Sequence, residues 1–229
     1  MKAMVLEEFG APLRLTELPR PAAGIGAVLV RVAAAGVNPV EVKTRAGAVG
    51  DWFGIPPLVL GWDLSGVVEE LGIGAAGFAI GDGVLGLARF PGRAGTYAEY
   101  VSVPAHQLTR KPAALDHVTA AALPLAGLTA QQALDHAGVQ SGQRVLGHAA
   151  AGGVGHLAVQ LAKERGAWVA GTARAEKHKF LRELGADELV DYREVAFEEA
   201  VGDINVVVDL VGGDYGPRRC ARCDRAEPS

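Results

Sequence analysis

The amino-acid sequence predicts an α/β protein in which a mostly β domain precedes a doubly wound parallel sheet. The first half holds short apolar runs that Gly and Pro interrupt, a pattern typical of a compact β domain. From residue 143 onward, strand and helix patterns alternate. With 229 residues, of which 49% are hydrophobic, the chain can bury a sizeable core. We expect domains at residues 1–125 and 126–215, with an irregular tail at 216–229.

The N-terminal domain is predicted to contain four clear strands and one helix. The strands are expected at residues 27–32, 65–71, 82–87 and 97–103. The helix is expected at residues 39–45, because Asn38 is a good N-cap and Pro39 suits the first helical position.

The second domain is introduced by a helical pattern at residues 117–136, which predicts a linker helix despite Pro124 and Gly127. Phe180 and Leu181 are expected to point inward from the helix predicted at residues 176–184. The remaining elements are strands at 143–148, 168–172, 188–190 and 204–211, and helices at 153–165 and 176–184. This order predicts a parallel sheet with helices on its faces.

A glycine-rich turn joins the strand at 143–148 to the following helix. Glycines at such a turn let the backbone approach a pyrophosphate, and the helix N-terminus offers free N–H groups and a positive dipole end. The alternative is a glycine turn that only permits close packing. The residues expected to contact a dinucleotide here are Ala150, Gly152, Gly153, Val154 and Gly155.

The residues after the second strand of this domain favour NADP(H) over NAD(H). An enzyme that uses NAD usually has an acid at this strand end, to hold the ribose 2′-hydroxyl. Here the strand ends at Thr172, and Arg174 and Lys177 follow, which suits a 2′-phosphate. Glu176 is the nearby acid that keeps NAD as a minor alternative. A solvated helix start with mixed charges is the other alternative.

Composition argues against several other functions. A net charge of −4 gives no electrostatic footprint for nucleic acid or an anionic membrane. No run of about 18 apolar residues predicts a membrane span, and the N-terminus does not resemble a signal peptide. Cysteine is absent before Cys220, so we expect no disulfide framework and a cytoplasmic protein. Cys220 and Cys223 form half a zinc knuckle at best, and we predict no metal.

Four segments together resemble the quinone oxidoreductase branch of the medium-chain dehydrogenases/reductases. They lie at residues 36–43, 60–66, 123–130 and 149–155, and the similarity extends to about Gly213. The resemblance implies a GroES-like domain followed by a Rossmann domain. It implies a zinc-independent enzyme that transfers a hydride from NADPH to a quinone or an α,β-unsaturated carbonyl. For full-length members it leaves room for a homodimer.

The resemblance also implies roles for individual residues. It places Tyr192 against the adenine ribose phosphate and Thr129 near the nicotinamide. It places Asn38 in the substrate pocket, and Lys43 matches plant alkenal and enone reductases, where Lys is thought to meet the substrate carbonyl. The final proton would come from solvent or from Tyr97. The alternatives are a helix cap for Asn38, an exposed surface residue for Lys43 and a backbone hydrogen bond for Thr129.

Zinc-dependent relatives have Cys where Asn38 stands and His where Trp62 stands. Neither Asn nor Trp is a zinc ligand, so the resemblance implies a mechanism without zinc. His148 and His156, which flank the glycine-rich turn, are interpreted as structural residues rather than ligands.

The tail departs from the family pattern. Residues 216–229 contain four Arg, both Cys and no Val, Ile, Leu or Phe. Since a dinucleotide-binding sheet normally has six strands, we expect the fold to stop after its fourth strand. The alternative function is therefore a catalytically inactive dinucleotide-binding remnant or a structural protein. A fragment of a polyketide or fatty-acid enoyl reductase module is a further alternative.

Overall fold

The computed structural model describes residues 1–213. The predicted irregular tail, with Cys220 and Cys223, lies outside the described residues. The chain divides into two compact units, Met1–Leu125 and a second unit that begins at Ala126. In the described part of the chain, no helix is long and apolar enough to span a lipid bilayer.

The first unit consists mainly of antiparallel strands. Five strands form a sheet in the order β7-β3-β5-β6-β8, and three form a second sheet in the order β2-β1-β4. The strands are β1 (Lys2–Leu6), β2 (Arg14–Glu17), β3 (Ala27–Ala35), β4 (Leu58–Val59), β5 (Asp63–Leu71), β6 (Gly83–Leu87), β7 (Tyr100–Pro104) and β8 (Leu108–Arg110). The helices are α1 (Pro39–Arg45), α2 (His117–Ala121) and the start of α3 (Pro124–His136), with a 3₁₀ turn at Ala105–Gln107.

The core of the first unit lies on one face of the five-stranded sheet. Val28 and Val30 of β3 are fully buried, and they pair with Val103 and Val101 of β7. Alternate residues of neighbouring strands face the same side, so these pairs stack into one apolar layer. The predicted β domain is therefore confirmed, and β5 lies in the middle of its five-stranded sheet.

The second unit is a four-stranded parallel sheet with helices between its strands. The strand order is β11-β10-β9-β12, and all three neighbouring pairs are parallel. Buried apolar clusters lie against the sheet. The elements are β9 (Arg144–Gly147), α4 (Gly155–Glu164), β10 (Trp168–Thr172), α5 (His178–Glu183), β11 (Glu188–Val190), α6 (Phe197–Ala200) and β12 (Val206–Val208), with a 3₁₀ turn at Ala175–Lys177. The predicted doubly wound arrangement is confirmed.

The predicted linker helix is in fact two helices. The Asp116 side chain accepts a hydrogen bond from the Thr119 N–H and begins α2, which ends at Ala121. Pro124 then begins α3. Proline has no N–H to donate and suits the first position of a helix, so the residue expected to interrupt one helix begins another.

Two further predictions for the second unit were wrong in detail. Phe180 was expected inward, but its side chain is 41% exposed, whereas Leu181 is fully buried. The strand predicted at 204–211 spans only Val206–Val208. It is short because Asp203 has a left-handed φ of 58° and because Asp209 accepts hydrogen bonds from Val211 N–H and Gly212 N–H in a turn.

Candidate functional site

The glycine-rich turn lies between the end of β9 and the start of α4. Ala149 has a left-handed φ of 50°, and its carbonyl accepts a hydrogen bond from the Gly152 N–H at 2.8 Å. A Cβ on Gly155 would lie 2.4 Å from the Ala149 oxygen and 2.7 Å from the Ala150 oxygen. Gly155 is therefore required for helix α4 to begin this close to β9.

Free backbone donors are concentrated at one part of this turn. Among the described residues, the N–H groups of Gly153, Val154 and Gly155 make no backbone hydrogen bond. They lie in the turn and at the first position of α4, where a helix leaves donors unpaired. A Cβ on Gly153 would meet nothing within 4 Å, so open space adjoins these donors. Such an arrangement can receive an anionic oxygen.

Two residues predicted to contact the cofactor also hold the turn against β10. Ala150 is fully buried, and its N–H donates to the Thr172 carbonyl at 3.0 Å. The Thr172 hydroxyl is 3.3 Å from the Ala149 nitrogen, which donates to it, and 3.2 Å from His148 Nδ1. These contacts fix the conformation of the turn. The Ala150 N–H is already bonded, whereas the N–H groups of Gly153, Val154 and Gly155 are available to a phosphate.

Both histidines beside the turn have structural contacts. The buried His148 ring packs edge-on against Phe197, with ring centroids 4.5 Å apart. His156 Nδ1 donates to the Gly152 carbonyl at 2.8 Å, which ties α4 to the turn. Neither arrangement gathers metal ligands.

A cavity of about 200 Å³ opens beside the turn, at the carboxyl ends of β9 and β10. Ligands of parallel α/β sheets bind at this edge. Its lining consists of Ala149, Ala151, Gly152, Thr172, Ala173, Arg174, Glu176, Lys177 and Tyr192. A second cavity adjoins it along Gly152, Gly153, His156, Lys177 and Phe180.

The far wall of the cavity carries cationic side chains and a phenol. Arg174 Nε donates to the Tyr192 hydroxyl at 3.3 Å, which fixes these two groups beside each other. Glu176 lies 3.7 Å from Arg174 Nη1 and 3.6 Å from Arg193 Nη2, so its carboxylate faces two guanidinium groups. Lys177 lines both cavities.

Arg193 was not singled out in the sequence, although it follows Tyr192 directly. Its guanidinium binds both carboxylate oxygens of Asp191, at 3.3 and 3.1 Å. These side-chain bonds, followed by the Arg193 and Ala175 backbone N–H groups, hold the pKa of Asp191 well below its usual range. Asp191 thereby ties the end of β11 to the 3₁₀ turn that carries Lys177. A basic residue just after a strand-end Tyr would have pointed to this contact.

These features fit a dinucleotide. Free N–H groups at the turn suit a pyrophosphate, and Arg174, Lys177 and Tyr192 can surround a ribose phosphate. Thr129, predicted near the nicotinamide, is an exposed residue of α3. It is not among the residues that line either of these two cavities.

In the first unit, the predicted substrate residue Asn38 lies beside two buried acids. Asn38 is the N-cap of α1, and its backbone N–H donates to Glu41 Oε2 at 2.8 Å. Its side-chain Nδ2 donates to Asp63 Oδ2 at 2.9 Å. Glu41 is 2% exposed and Asp63 is fully buried. Burial raises the pKa of both carboxyl groups, while hydrogen bonds from Asn38 oppose the rise.

The two other residues predicted to be catalytic differ in their surroundings. Lys43 lies on the exposed side of α1 and is accessible to solvent. The Tyr97 hydroxyl is buried and has no hydrogen-bond partner among the described residues. Burial, together with the nearby charges of Glu41 and Asp63, raises the pKa of Tyr97, so the phenol stays protonated at neutral pH.

Trp62 belongs to an aromatic cluster. Its indole Nε1 donates to the Gly92 carbonyl at 2.6 Å. Its ring packs against Phe53 and Phe90, with centroids 5.0 and 5.6 Å away. Among residues 1–213, no three His, Cys, Asp or Glu side chains form a group that could hold a metal ion.

Two family models match the chain. The alcohol dehydrogenase GroES-like domain matches residues 24–113, and the zinc-binding dehydrogenase model matches residues 153–219. The first match falls in the first structural unit and the second in the other.

Named relatives agree with these matches. The chain is 39% identical over 192 residues to 2-methylene-furan-3-one reductase of Solanum lycopersicum, covering 81% of this chain and 50% of the relative. It is 36% identical over 222 residues to the chloroplastic NADPH-dependent alkenal/one oxidoreductase of Arabidopsis thaliana, covering 93% and 58%. The chain thus spans about half the length of these curated relatives.

A solved structure is similar throughout the described fold. The quinone oxidoreductase from Coxiella burnetii superposes with a TM-score of 0.89 at 43% sequence identity, covering 95% of this chain and 71% of that one. Both the order of the domains and their internal architecture are therefore shared with a solved relative.

Proposed function

Since the chain belongs to the medium-chain dehydrogenase/reductase family, we propose that it acts as an NADPH-dependent oxidoreductase that reduces a quinone or an α,β-unsaturated carbonyl. The observation that carries this proposal is the cavity beside the glycine-rich turn, with Arg174, Lys177 and Tyr192 on its wall. The names of the Solanum, Arabidopsis and Coxiella relatives support the same substrate classes.

The cofactor would be held by the second unit. The N–H groups of Gly153, Val154 and Gly155 would bind the pyrophosphate, with Gly152 allowing its close approach. Bound NADPH would supply a hydride. Thr129 is carried into this proposal from the family resemblance alone.

The preference for NADPH over NADH rests on charge. Arg174 and Lys177 provide cations for a ribose 2′-phosphate, and Tyr192 adds a hydroxyl. Glu176 is the acid that would favour NADH, but Arg174 and Arg193 both lie within ion-pair distance of it. Its carboxylate is partly neutralised by these contacts, which supports NADPH.

The substrate would be bound by the first unit. Asn38 and Lys43 would donate to the carbonyl oxygen as negative charge develops there, which lowers the barrier electrostatically. Tyr97 remains protonated at neutral pH and would hold a proton for the product. Solvent is the other source of that proton.

The proposal includes a mechanism without zinc. Asn38 donates its amide to Asp63, and the Trp62 indole is bonded and packed within an aromatic cluster, so neither position offers a zinc ligand. Metal analysis of the purified chain should find less than one zinc per molecule. A tightly bound stoichiometric zinc would contradict this part of the proposal.

The partners proposed are small molecules only. The net charge of −4 supports no nucleic-acid partner. A homodimer and a cytoplasmic location remain expectations that follow from the family resemblance and from the cysteine content.

The direct test is a pair of measurements on the 229-residue chain. NADPH binding is measured by fluorescence, and NADPH oxidation is followed with 1,4-naphthoquinone and with cyclohex-2-en-1-one. Binding together with oxidation of either substrate supports the proposal. Binding without turnover of any carbonyl or quinone would favour the alternative, a dinucleotide-binding protein without activity.

A further inference from the structure

Asp63, the first residue of β5, carries a carboxylate that is fully buried in the first unit. A carboxylate removed from water is costly unless hydrogen bonds satisfy it. Here each oxygen has its own donor. Oδ1 accepts from the Leu125 N–H at 2.9 Å, and Oδ2 accepts from Asn38 Nδ2 at 2.9 Å.

The two donors belong to different elements. Asn38 is the N-cap of α1. Leu125 is the second residue of α3, where a helix has N–H groups without an acceptor of its own. A negative charge at this end of a helix is also stabilised by the helix dipole. Asp63 therefore caps α3 and holds the Asn38 side chain with one carboxylate.

The surrounding backbone leaves the carboxylate little freedom. A Cβ on Gly36 would lie 2.8 Å from the Asp63 Cβ and 2.6 Å from the Ala121 carbonyl oxygen. Gly36 also donates its N–H to the Asp63 carbonyl at 3.3 Å. This close packing of β3, β5 and α2 fixes the position of the Asp63 side chain.

We propose that Asp63 is a positioning residue that acts through Asn38: it holds the Asn38 amide so that one Nδ2–H bonds Asp63 and the second Nδ2–H stays available for the substrate oxygen. The amide has a donor end and an acceptor end of nearly equal shape, so a rotation by 180° would exchange them. An ionised carboxylate accepts but does not donate, so it stabilises one of the two orientations. This inference rests on the proposed role of Asn38 in substrate binding.

The variant Asp63→Asn tests the orientation directly. Asparagine has one acceptor oxygen, whereas the Asp63 carboxylate accepts from two donors, Asn38 Nδ2 and the Leu125 N–H. In the variant, one of these two donors therefore loses its bond to residue 63. NMR of the ¹⁵N-labelled chain should show the Asn38 side-chain NH₂ signals shifted and its exchange with water faster. The kcat/KM for cyclohex-2-en-1-one should fall about 10²-fold, the scale of a misplaced catalytic group, while the Kd for NADPH should not change.

Asp82→Asn is the matched control. Asp82 also accepts one backbone N–H, from Ala79 at 2.9 Å, and one side-chain donor, from Arg110 at 3.1 Å. The same chemical change there should leave the Asn38 signals and kcat/KM as they are.

A double variant separates positioning from stability. Combining Asn38→Asp with Asp63→Asn restores a donor–acceptor pair of reversed polarity, and the oxygen of the new amide can still accept from Leu125. We expect the Tm lost in Asp63→Asn to be largely recovered in the double variant, while kcat/KM stays low because position 38 no longer presents an amide.

The outcomes distinguish this inference from the proposed function. Unchanged Asn38 signals and exchange in Asp63→Asn overturn the inference, whatever the activity. Full recovery of kcat/KM in the double variant also overturns it, since the amide orientation would then not matter. If the unmodified chain reduces neither substrate, the proposed function fails, and the NMR comparison still decides whether Asp63 orients Asn38.

Discussion

Lys177 is the residue at which the proposed cofactor preference can be tested most directly. It lines both cavities beside the glycine-rich turn. Lys177→Glu should weaken NADPH binding by about 1.5–3 kcal/mol, the strength of a hydrogen bond to a charged group, and spare NADH. Titration of both cofactors by fluorescence measures the difference.

The control for this prediction is Lys179→Glu, which makes the same charge change two residues away. The Lys179 side chain is 90% exposed and lies 4.0 Å from Glu183, within the same helix. It should leave both affinities nearly unchanged. Equal losses for NADPH and NADH in Lys177→Glu would refute the proposed phosphate contact.

Lys43 provides the second test at this scale. If its ammonium group stabilises negative charge on the substrate oxygen, Lys43→Met should lower kcat/KM by about 10²–10³, as loss of one oxyanion donor does. NADPH affinity should stay the same. Lys2→Met, another exposed lysine of the first unit, should have no effect. A Lys43→Met protein with full activity would leave Lys43 as a surface residue.

Single residues were predictable where local position along the chain decides their role. Arg174, Lys177 and Tyr192 follow strand ends, and the structure brings all three to one cavity. The contact between Asn38 and Asp63 was not predictable, because 25 residues separate them and tertiary packing joins them. Ala150 lies in the glycine-rich turn, but its N–H is already bonded to Thr172.

At the scale of elements, the turn between β9 and α4 depends on two glycines in different ways. Gly155→Ala places a Cβ 2.4 Å from a backbone oxygen, which should destabilise the chain by about 1–3 kcal/mol, as overpacking does. Gly153→Ala meets nothing within 4 Å and should fold normally.

The two variants are compared by thermal unfolding and NADPH titration. Gly153→Ala should keep its Tm yet weaken NADPH binding, because the added methyl group occupies space beside the proposed pyrophosphate donors. If Gly155→Ala were as stable as the unmodified chain, the turn would have to be looser than the structure shows.

Elements were predicted best where apolar runs have clear boundaries. Strand β10 was predicted at residues 168–172, and it lies at Trp168–Thr172. Strand β12 was predicted too long, since the apolar residues around it continue into turns set by Asp203 and Asp209. Hydrophobicity indicates burial, but hydrogen bonds to turn residues decide where a strand ends.

For the molecule as a whole, the buried acids predict how stability changes with pH. Burial raises the pKa of Glu41 above 4.5, so the folded chain holds this proton more tightly than the unfolded chain. The resulting contribution to stability is present below pH 4.5 and is lost as pH rises through the folded pKa. Burial also raises the pKa of Asp63 above its ordinary value of 3.8, so its contribution to stability is likewise lost as pH rises.

Glu41→Gln should therefore gain stability relative to the unmodified chain as pH rises from 4.5 to 8. The Gln oxygen can still accept from the Asn38 N–H. Urea unfolding across this range measures the difference, with Glu17→Gln at an exposed position as the control. A constant difference between Glu41→Gln and the unmodified chain would mean that Glu41 titrates alike when folded and unfolded.

The division of the chain after Leu125 has a consequence for how such proteins can be recombined. Each apolar cluster draws its residues from one side of this point, so a genetic crossover here separates no core residues from their partners. A chimera that keeps residues 1–125 of this chain together, or residues 126–213 together, should therefore keep the apolar clusters of that part intact. The junction falls in the first turn of α3, and both Asp63 and its donor Leu125 lie on the N-terminal side of it, so the N-terminal half keeps this hydrogen bond.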